Sequence, residues 1–196
     1  MKKIWGDVMS GTAYDATLFY TPIPGELMKY KVVVLALAAL LVNGALIAQT
    51  KKPSRVMQWS SFDAGMKRAK NRHKKVLVDV YTDWCGWCKK MDSEVYADSA
   101  VRDYLSKNFV IVKMNAEEDV KIHYKGEEYS PAQLAAAFGV DGYPATLFLK
   151  EDNEPITLLP GYVEAPMFLH VLSFIAEDQY EKKQFSEYLK EKGITQ

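Results

Sequence analysis

Cysteine and histidine are scarce: two of the first and three of the second occur in 196 residues. Two cysteines cannot build a disulfide framework, and a four-cysteine zinc site is excluded outright. Neither sign of charge dominates, with 25 Lys+Arg against 25 Asp+Glu, so the cationic excess of a nucleic-acid surface is missing. Eleven scattered glycines exclude collagen-like and low-complexity architectures. The sequence holds no internal repeat and no Asn-x-Ser/Thr acceptor, and it closes on Gly-Ile-Thr-Gln, so nothing marks an endoplasmic-reticulum resident. What is present is an ordinary globular composition, 48% apolar and 26% charged, at a length that suits one domain with an appendage.

Charge is also absent between Lys31 and Lys51, where Val32–Ala48 reads VVVLALAALLVNGALIA. A soluble amphipathic helix would show a polar face at a period of 3.6, and this run shows none. Met28, Lys29, Tyr30 and Lys31 precede it, so residues 28–48 have the parts of a secretory signal: basic start, apolar middle, small residues at Ala45 and Ala48. The alternative is an uncleaved single-span anchor at the short end of the usual length. Residues 1–27 carry Pro22, Pro24 and Gly25 without sustained periodicity and read as an upstream extension. Either form of export places the rest of the chain in a bacterial periplasm or an equivalent extracytoplasmic space, where disulfide chemistry is possible. Membrane contact is expected only through residues 32–48, if these are retained.

Residues 49–58 read as a linker, and the folded part follows from Trp59. Ser60 or Ser61 caps a helix running to about His73. Val76–Tyr81 (VLVDVY) is a continuous apolar run broken only by Asp79, as in a strand covered on both faces. Helices are expected from about Cys85 and over Ser99–Lys107, and Phe109–Met114 is the next strand, giving a parallel βαβ unit. Glu117–Tyr129 is charged and poor in apolar residues, and is expected to be a surface loop. Ser130-Pro131 opens a helix to Phe138 that Gly139 ends. Ala145–Lys150 and Ile156–Leu159 form a hairpin, a helix starts near Pro166, and a more polar helix over about Asp178–Lys190 makes residues 177–196 a helical extension. This order gives a three-layer α/β domain over residues 59–176.

The chemistry concentrates in Asp83-Trp84-Cys85-Gly86-Trp87-Cys88-Lys89-Lys90, directly after the buried strand. Cysteines at i and i+3 lie one helical turn apart. The first stands at the helix N-terminus, where unpaired N–H groups favour a thiolate; the second sits a turn deeper. Cys-x-x-Cys is shared with zinc ribbons and structural disulfides. Zinc would need two further ligands, and His73, His123 and His170 are isolated along the chain, each reading as a surface or packing residue. An inert disulfide closing so small a loop would constrain the unfolded chain little.

VLVDVYTDWCGWCK resembles the active-site segment of the thioredoxin family, most closely that of small exported bacterial thioredoxin-like proteins. The likeness extends over about Trp59–Ala176. It matches Asp79 to the family's buried acid, Lys113 to a strand lysine near that acid, Tyr143-Pro144 to a loop with a cis-proline opposite the disulfide, and Gly161 to a glycine keeping the backbone close to the active site. It implies the thioredoxin fold, a three-layer α/β/α arrangement with a central mixed sheet of βαβ and ββα halves. It also implies dithiol–disulfide exchange, with no metal and no cofactor beyond the Cys85–Cys88 pair. Cys85 is then the attacking sulfur, Cys88 the resolving one, Asp79 with water the proton relay, and Pro144 a shaper of the cleft. Partners are protein thiols and disulfides, with an upstream electron donor in the membrane.

Two departures stand out. Gly86-Trp87 replaces the family's usual Gly-Pro between the cysteines, and Ala145 separates Pro144 from Thr146. Trp84 is either packing or a contact platform, together with Gly86, Trp87 and Tyr143; Trp87, between the sulfurs on a first helical turn, is expected to be exposed. Lys113 either reaches solvent or lies near Asp79. A nearby carboxylate disfavours the Cys thiolate, so Asp79 points to the reductant or isomerase side of exchange, with Lys89 and Lys90 acting the other way. The rival readings are a binding or chaperone-like module of the same fold with slow redox turnover, and a metal-binding module using the two cysteines.

Overall fold

The computed structural model describes residues 57–194. The expected extension over residues 1–27, the signal or anchor over 28–48 and most of the linker over 49–58 lie outside them. Among the described residues no helix is long and apolar enough to cross a membrane.

The chain runs α1 (Phe62–Arg72), β1 (Lys75–Tyr81), α2 (Gly86–Lys90), a π-helical segment (Met91–Tyr96), α3 (Ser99–Asn108) and β2 (Phe109–Asn115). It continues through β3 (Ile122–Tyr124), β4 (Glu127–Tyr129), α4 (Pro131–Ala137), β5 (Ala145–Leu149), β6 (Pro155–Pro160) and α5 (Ala165–Ala176). A 3-10 turn (Gln179–Glu181) and α6 (Phe185–Glu191) follow. The main sheet has the order β2-β1-β5-β6, with β1 parallel to β2 and antiparallel to β5, and β5 antiparallel to β6.

β1, apolar but for Asp79, is buried from Val76 through Val80, as a strand covered on both faces requires. Alternation then divides the core. Val76, Val78 and Val80 meet Val110, Val112, Leu147 and Leu149 under α1, α4 and the β3–β4 hairpin. Leu77, Ile111 and Phe148 meet Met91, Val95, Leu105, Phe168 and Leu172 on the opposite face. Helices thus cover both faces of one mixed sheet, the three-layer arrangement expected. At Gly65 an added Cβ would lie 2.2 Å from Val112 Cγ2, so glycine lets α1 lie directly on β2.

The outer side of β2 is partly covered by residues before α1. Ser60 N–H donates to the Ile111 carbonyl at 3.0 Å, and Lys113 N–H donates to the Ser60 carbonyl at 3.1 Å. Ser61, not Ser60, stands at the α1 cap, and its hydroxyl makes no capping bond. Strand β6 forms the other border of the sheet and begins and ends in proline.

Two expectations are corrected. Glu117–Tyr129 is not all loop: Ile122–Tyr124 and Glu127–Tyr129 pair antiparallel. Lys125 and Gly126 between them have φ of 51° and 88°, the two positive values of a tight hairpin turn. Tyr124 anchors the hairpin, its ring 5.0 Å from Phe138 and 6.2 Å from Phe62. The C-terminal helix is also not continuous, because Asp178 adopts φ 54° and Gln184 an extended backbone, splitting it into a 3-10 turn and α6. Buried Tyr188 and Leu189 seat α6 in the same core as α5.

Candidate active site

β1 delivers its C-terminal end, Tyr81, to the start of α2 through Thr82-Asp83-Trp84. Cys85 takes the cap position of α2 in an extended conformation, and Cys88 lies within the helix. The two are joined in a disulfide with their Cα atoms 5.3 Å apart. The Cys88 N–H donates to Cys85 Sγ at 3.0 Å, so the cap position supplies the polar contact that would hold a thiolate there. Exposure does not separate the two cysteines: each is 4% accessible, so the deeper seat expected of Cys88 shows in its place along the helix and not in its burial.

Asp79, on the strand that leads to Cys85, shares one face of the sheet with Lys113 and Thr146 by strand parity, standing opposite Lys113 on β2 and opposite Thr146 on β5. Asp79 is 2% exposed. Burial pushes its carboxyl up to about 6, the Lys113 ammonium pulling it down and the Asp92 carboxylate pushing it further up. Lys113 Nζ lies 3.4 Å from Asp79 Oδ2, and the Tyr96 hydroxyl donates to Asp79 Oδ1 at 3.3 Å. Lys113 therefore belongs to the acid's surroundings and not to open solvent. Burial favours its neutral form, but the hydrogen bond it donates to Asp92 and the charge of Asp79 prevail and hold its pKa above the usual lysine value.

The family resemblance also singles out the loop before β5. The Tyr143–Pro144 peptide bond is cis. Gly161, with φ 76°, donates its N–H to the Pro144 carbonyl at 2.8 Å. Around the sulfurs stand two exposed tryptophans, Trp84 at 66% and Trp87 at 58%. The Trp84 ring meets Tyr143 edge-on at 6.1 Å, and its indole N–H donates to both Glu117 carboxylate oxygens at 2.9 Å. The Trp87 ring lies 5.4 Å from Tyr162, with Lys90 Nζ 5.1 Å from the first ring and 4.9 Å from the second. The Tyr162 hydroxyl donates to Glu94 at 2.8 Å. Gly86 has open space where a Cβ would be, which leaves the approach to the disulfide clear.

Of the residues named from the sequence, Cys85 is joined to Cys88, Asp79 to Lys113, Trp84 to Tyr143 and Pro144 to Gly161, while Gly86 and Trp87 lie between the two cysteines. Sequence reasoning missed Asp92, Tyr96, Glu117 and Tyr162. Tyr162 follows Gly161 directly, and Asp92 stands four residues after Cys88; those spacings were the available signals. His73 faces Glu151 at 3.4 Å and His123 faces Asp63 at 2.8 Å, both far along the chain from the cysteines. Among the described residues no group of three or more His, Cys, Asp or Glu is arranged to hold a metal ion.

The chain is 28% identical over 109 residues to the thiol:disulfide interchange protein DsbD of Actinobacillus pleuropneumoniae, covering 55% of this chain and 17% of that one. It is 26% identical over 102 residues to the disulfide bond reductase DsbH of Chlamydia pneumoniae, covering 51% and 60%. The chain thus spans less than two thirds of the length of either relative. The solution structure of a candidate disulphide-isomerase from Bacteroides thetaiotaomicron is similar at 30% identity with a TM-score of 0.51, over 66% of this chain and 94% of that one. The sequence profile of the thioredoxin-like domain matches residues 62–176, more than half of the chain and close to the extent read from its motifs. The chain belongs to the thioredoxin-like domain family.

Proposed function

We propose that this protein is an exported thiol–disulfide oxidoreductase working on the reductant or isomerase side. The observation that carries the reading is the Cys85–Cys88 disulfide at the entrance of α2, with the buried carboxyl of Asp79 on the strand that leads into it. In the reducing direction the Cys85 thiolate attacks one sulfur of a partner disulfide, forming a mixed disulfide and releasing the first partner thiolate. Asp79, with water, takes the proton of the Cys88 thiol. The Cys88 thiolate then attacks Cys85 Sγ, the second partner thiolate leaves, and the protein is left oxidised by two electrons. A dithiol donor at the membrane returns those electrons. Pro144 and the aromatic residues Trp84, Trp87 and Tyr143 hold the partner chain against Cys85.

The direction follows from charge. A carboxylate on the strand that leads to the sulfurs opposes the thiolate, and a thiolate that is not strongly stabilised makes a reducing pair. Lys90, which opposes this, is engaged by two aromatic rings and lies 3.8 Å from Glu94. Export is supported by the uncharged run over residues 32–48 behind Lys29 and Lys31. The names of the relatives DsbD and DsbH fit the same chemistry.

Reduction of insulin by dithiothreitol tests the activity: the protein should accelerate precipitation, whereas a binding module with slow turnover would leave the rate at that of dithiothreitol alone. Equilibration against glutathione buffers tests the direction, and a potential as oxidising as a dedicated disulfide donor would reverse it.

A further inference from the structure

The π-helical segment continues α2 without a break and presents two side chains, Asp92 and Tyr96, to the buried acid and its lysine. Segments of this kind inside helices recur at functional sites. Lys113 is shared unequally. Its ammonium lies 2.6 Å from both oxygens of Asp92, but 3.4 Å from the nearer oxygen of Asp79. Trp59 and Tyr81 flank it, their ring centroids 5.4 and 4.7 Å from Nζ. The pair sits at an open crevice of about 410 Å³ whose walls include Trp59, Asp92, Tyr96, Arg102 and Lys113. No residue of the tryptophan rim or the cis-proline loop lines that crevice.

We infer that Asp92 is a positioning residue: by holding Lys113 at the crevice it keeps the lysine from closing fully on Asp79, so that the buried carboxyl remains able to take and return a proton while a partner covers the disulfide. This rests on the exchange reading proposed above. Were Lys113 to close fully on Asp79, a tight ion pair would hold the carboxyl ionised through the working range, and it would surrender no proton to a leaving thiolate. Asp92 competes from the solvent side, where its own side chain is 45% exposed and its charge is cheap to maintain. Other groups facing the acid are few. Tyr96 donates from the π segment, Tyr81 lies beyond it on β1 and Thr146 stands opposite on β5. Arg102, from α3, stands at the crevice wall.

The experiment follows the Asp79 carboxyl by ¹³C NMR titration of the oxidised full chain, alongside the variants Asp92→Asn, Lys113→Met, the double variant and Asp92→Glu. Asp92→Asn should lower the Asp79 midpoint by about one pH unit or more, as Lys113 closes on it. Asp92→Glu should restore it. Part of any shift comes directly from losing a negative charge, and the double variant isolates that part: in the Lys113→Met background, the effect of Asp92→Asn should fall to less than half. Equal shifts in both backgrounds, or no shift, would overturn the proposal. Thermal unfolding of each variant checks that the fold is kept. The titration needs no turnover, so a protein that titrates as expected yet exchanges no disulfides would defeat the oxidoreductase reading and leave the positioning role standing. With exchange active, the lower inflection of the pH–rate profile for resolution by Cys88 should move with the Asp79 midpoint.

Discussion

The N–H of Gly161 donates to the carbonyl of Pro144 at 2.8 Å, tying the end of β6 to the loop that faces the disulfide. Gly161 reaches this bond with φ 76°, a conformation costly for any residue with a side chain.

Gly161→Ala should therefore destabilise the protein by about 1 kcal/mol. A Cβ at this position meets nothing within 4 Å, so the cost comes from the backbone and not from crowding. Urea denaturation reads it as a lower midpoint at unchanged slope. Gly142→Ala, with no positive φ and equally open space, is the control and should stay near the native midpoint.

Asp79→Asn should stabilise the fold at pH 7 while slowing resolution by Cys88. The native carboxyl, raised to about 6 from 3.8, binds its proton more tightly folded than unfolded. Its contribution is fully favourable below about pH 4 and is lost as pH rises through 6, leaving a burden at neutral pH of at most about 3 kcal/mol. Lys113, which loses its partner in the variant, reduces the gain. Denaturant titrations at pH 4 and pH 7 should show the two proteins alike at the lower pH and the variant more stable at the higher.

In the reduced protein Cys85 should be alkylated about tenfold faster than Cys88 near pH 6, because it alone stands at the helix entrance. Peptide mapping after brief iodoacetamide treatment decides it, and equal rates would remove the distinction between attacking and resolving sulfur. Cys88→Ser should accumulate mixed disulfides and Cys85→Ser should not.

Trp84→Ala and Trp87→Ala should each weaken exchange with a folded protein disulfide by about 5- to 30-fold, as exposed aromatic anchors of an interface do. Exchange with a small disulfide reagent should change little. Unfolding free energies should change by less than about 0.5 kcal/mol, since both side chains are largely exposed. Equal losses on both substrates would place these residues in the chemistry instead of in partner contact.

Legibility in the sequence followed apolar continuity. β1 was visible because five consecutive buried residues leave an uninterrupted run, and Asp79 stood out inside it. Gly161 and Pro144 were legible only through the family pattern, since neither spacing nor composition joins them. The β3–β4 hairpin escaped because its strands are three residues long, with the anchoring Ile122, Tyr124 and Tyr129 scattered among charges. Asp92 and Tyr96 escaped for a different reason. The π segment shifts the helix to i→i+5 bonding, so a period of 3.6 carried past Lys90 assigns the wrong faces. Glu117 meets Trp84 across 33 residues, and no local rule reports such a pair.

Tyr124→Ala tests whether the hairpin is structural. Loss of ring contacts to Phe62 and Phe138, and of the hydroxyl bond to the Asn153 carbonyl at 2.9 Å, should cost about 2–3 kcal/mol. Exchange rates measured well below the melting temperature should stay at the native level. A loss of activity without a loss of stability would move the hairpin into the partner surface.

Strand β6 closes the sheet beside this site with Pro155 at one end and Pro160 at the other, so neither end offers an amide hydrogen to a neighbour. Misfolded polypeptides, which carry the disulfides most in need of reduction, are full of extended segments that seek such borders. A border blocked at both ends resists their annexation as an extra strand. Under the proposed exchange, engagement is then left to side chains around a single covalent link that the protein itself can sever, and release after each encounter does not require the sheet to be prised apart.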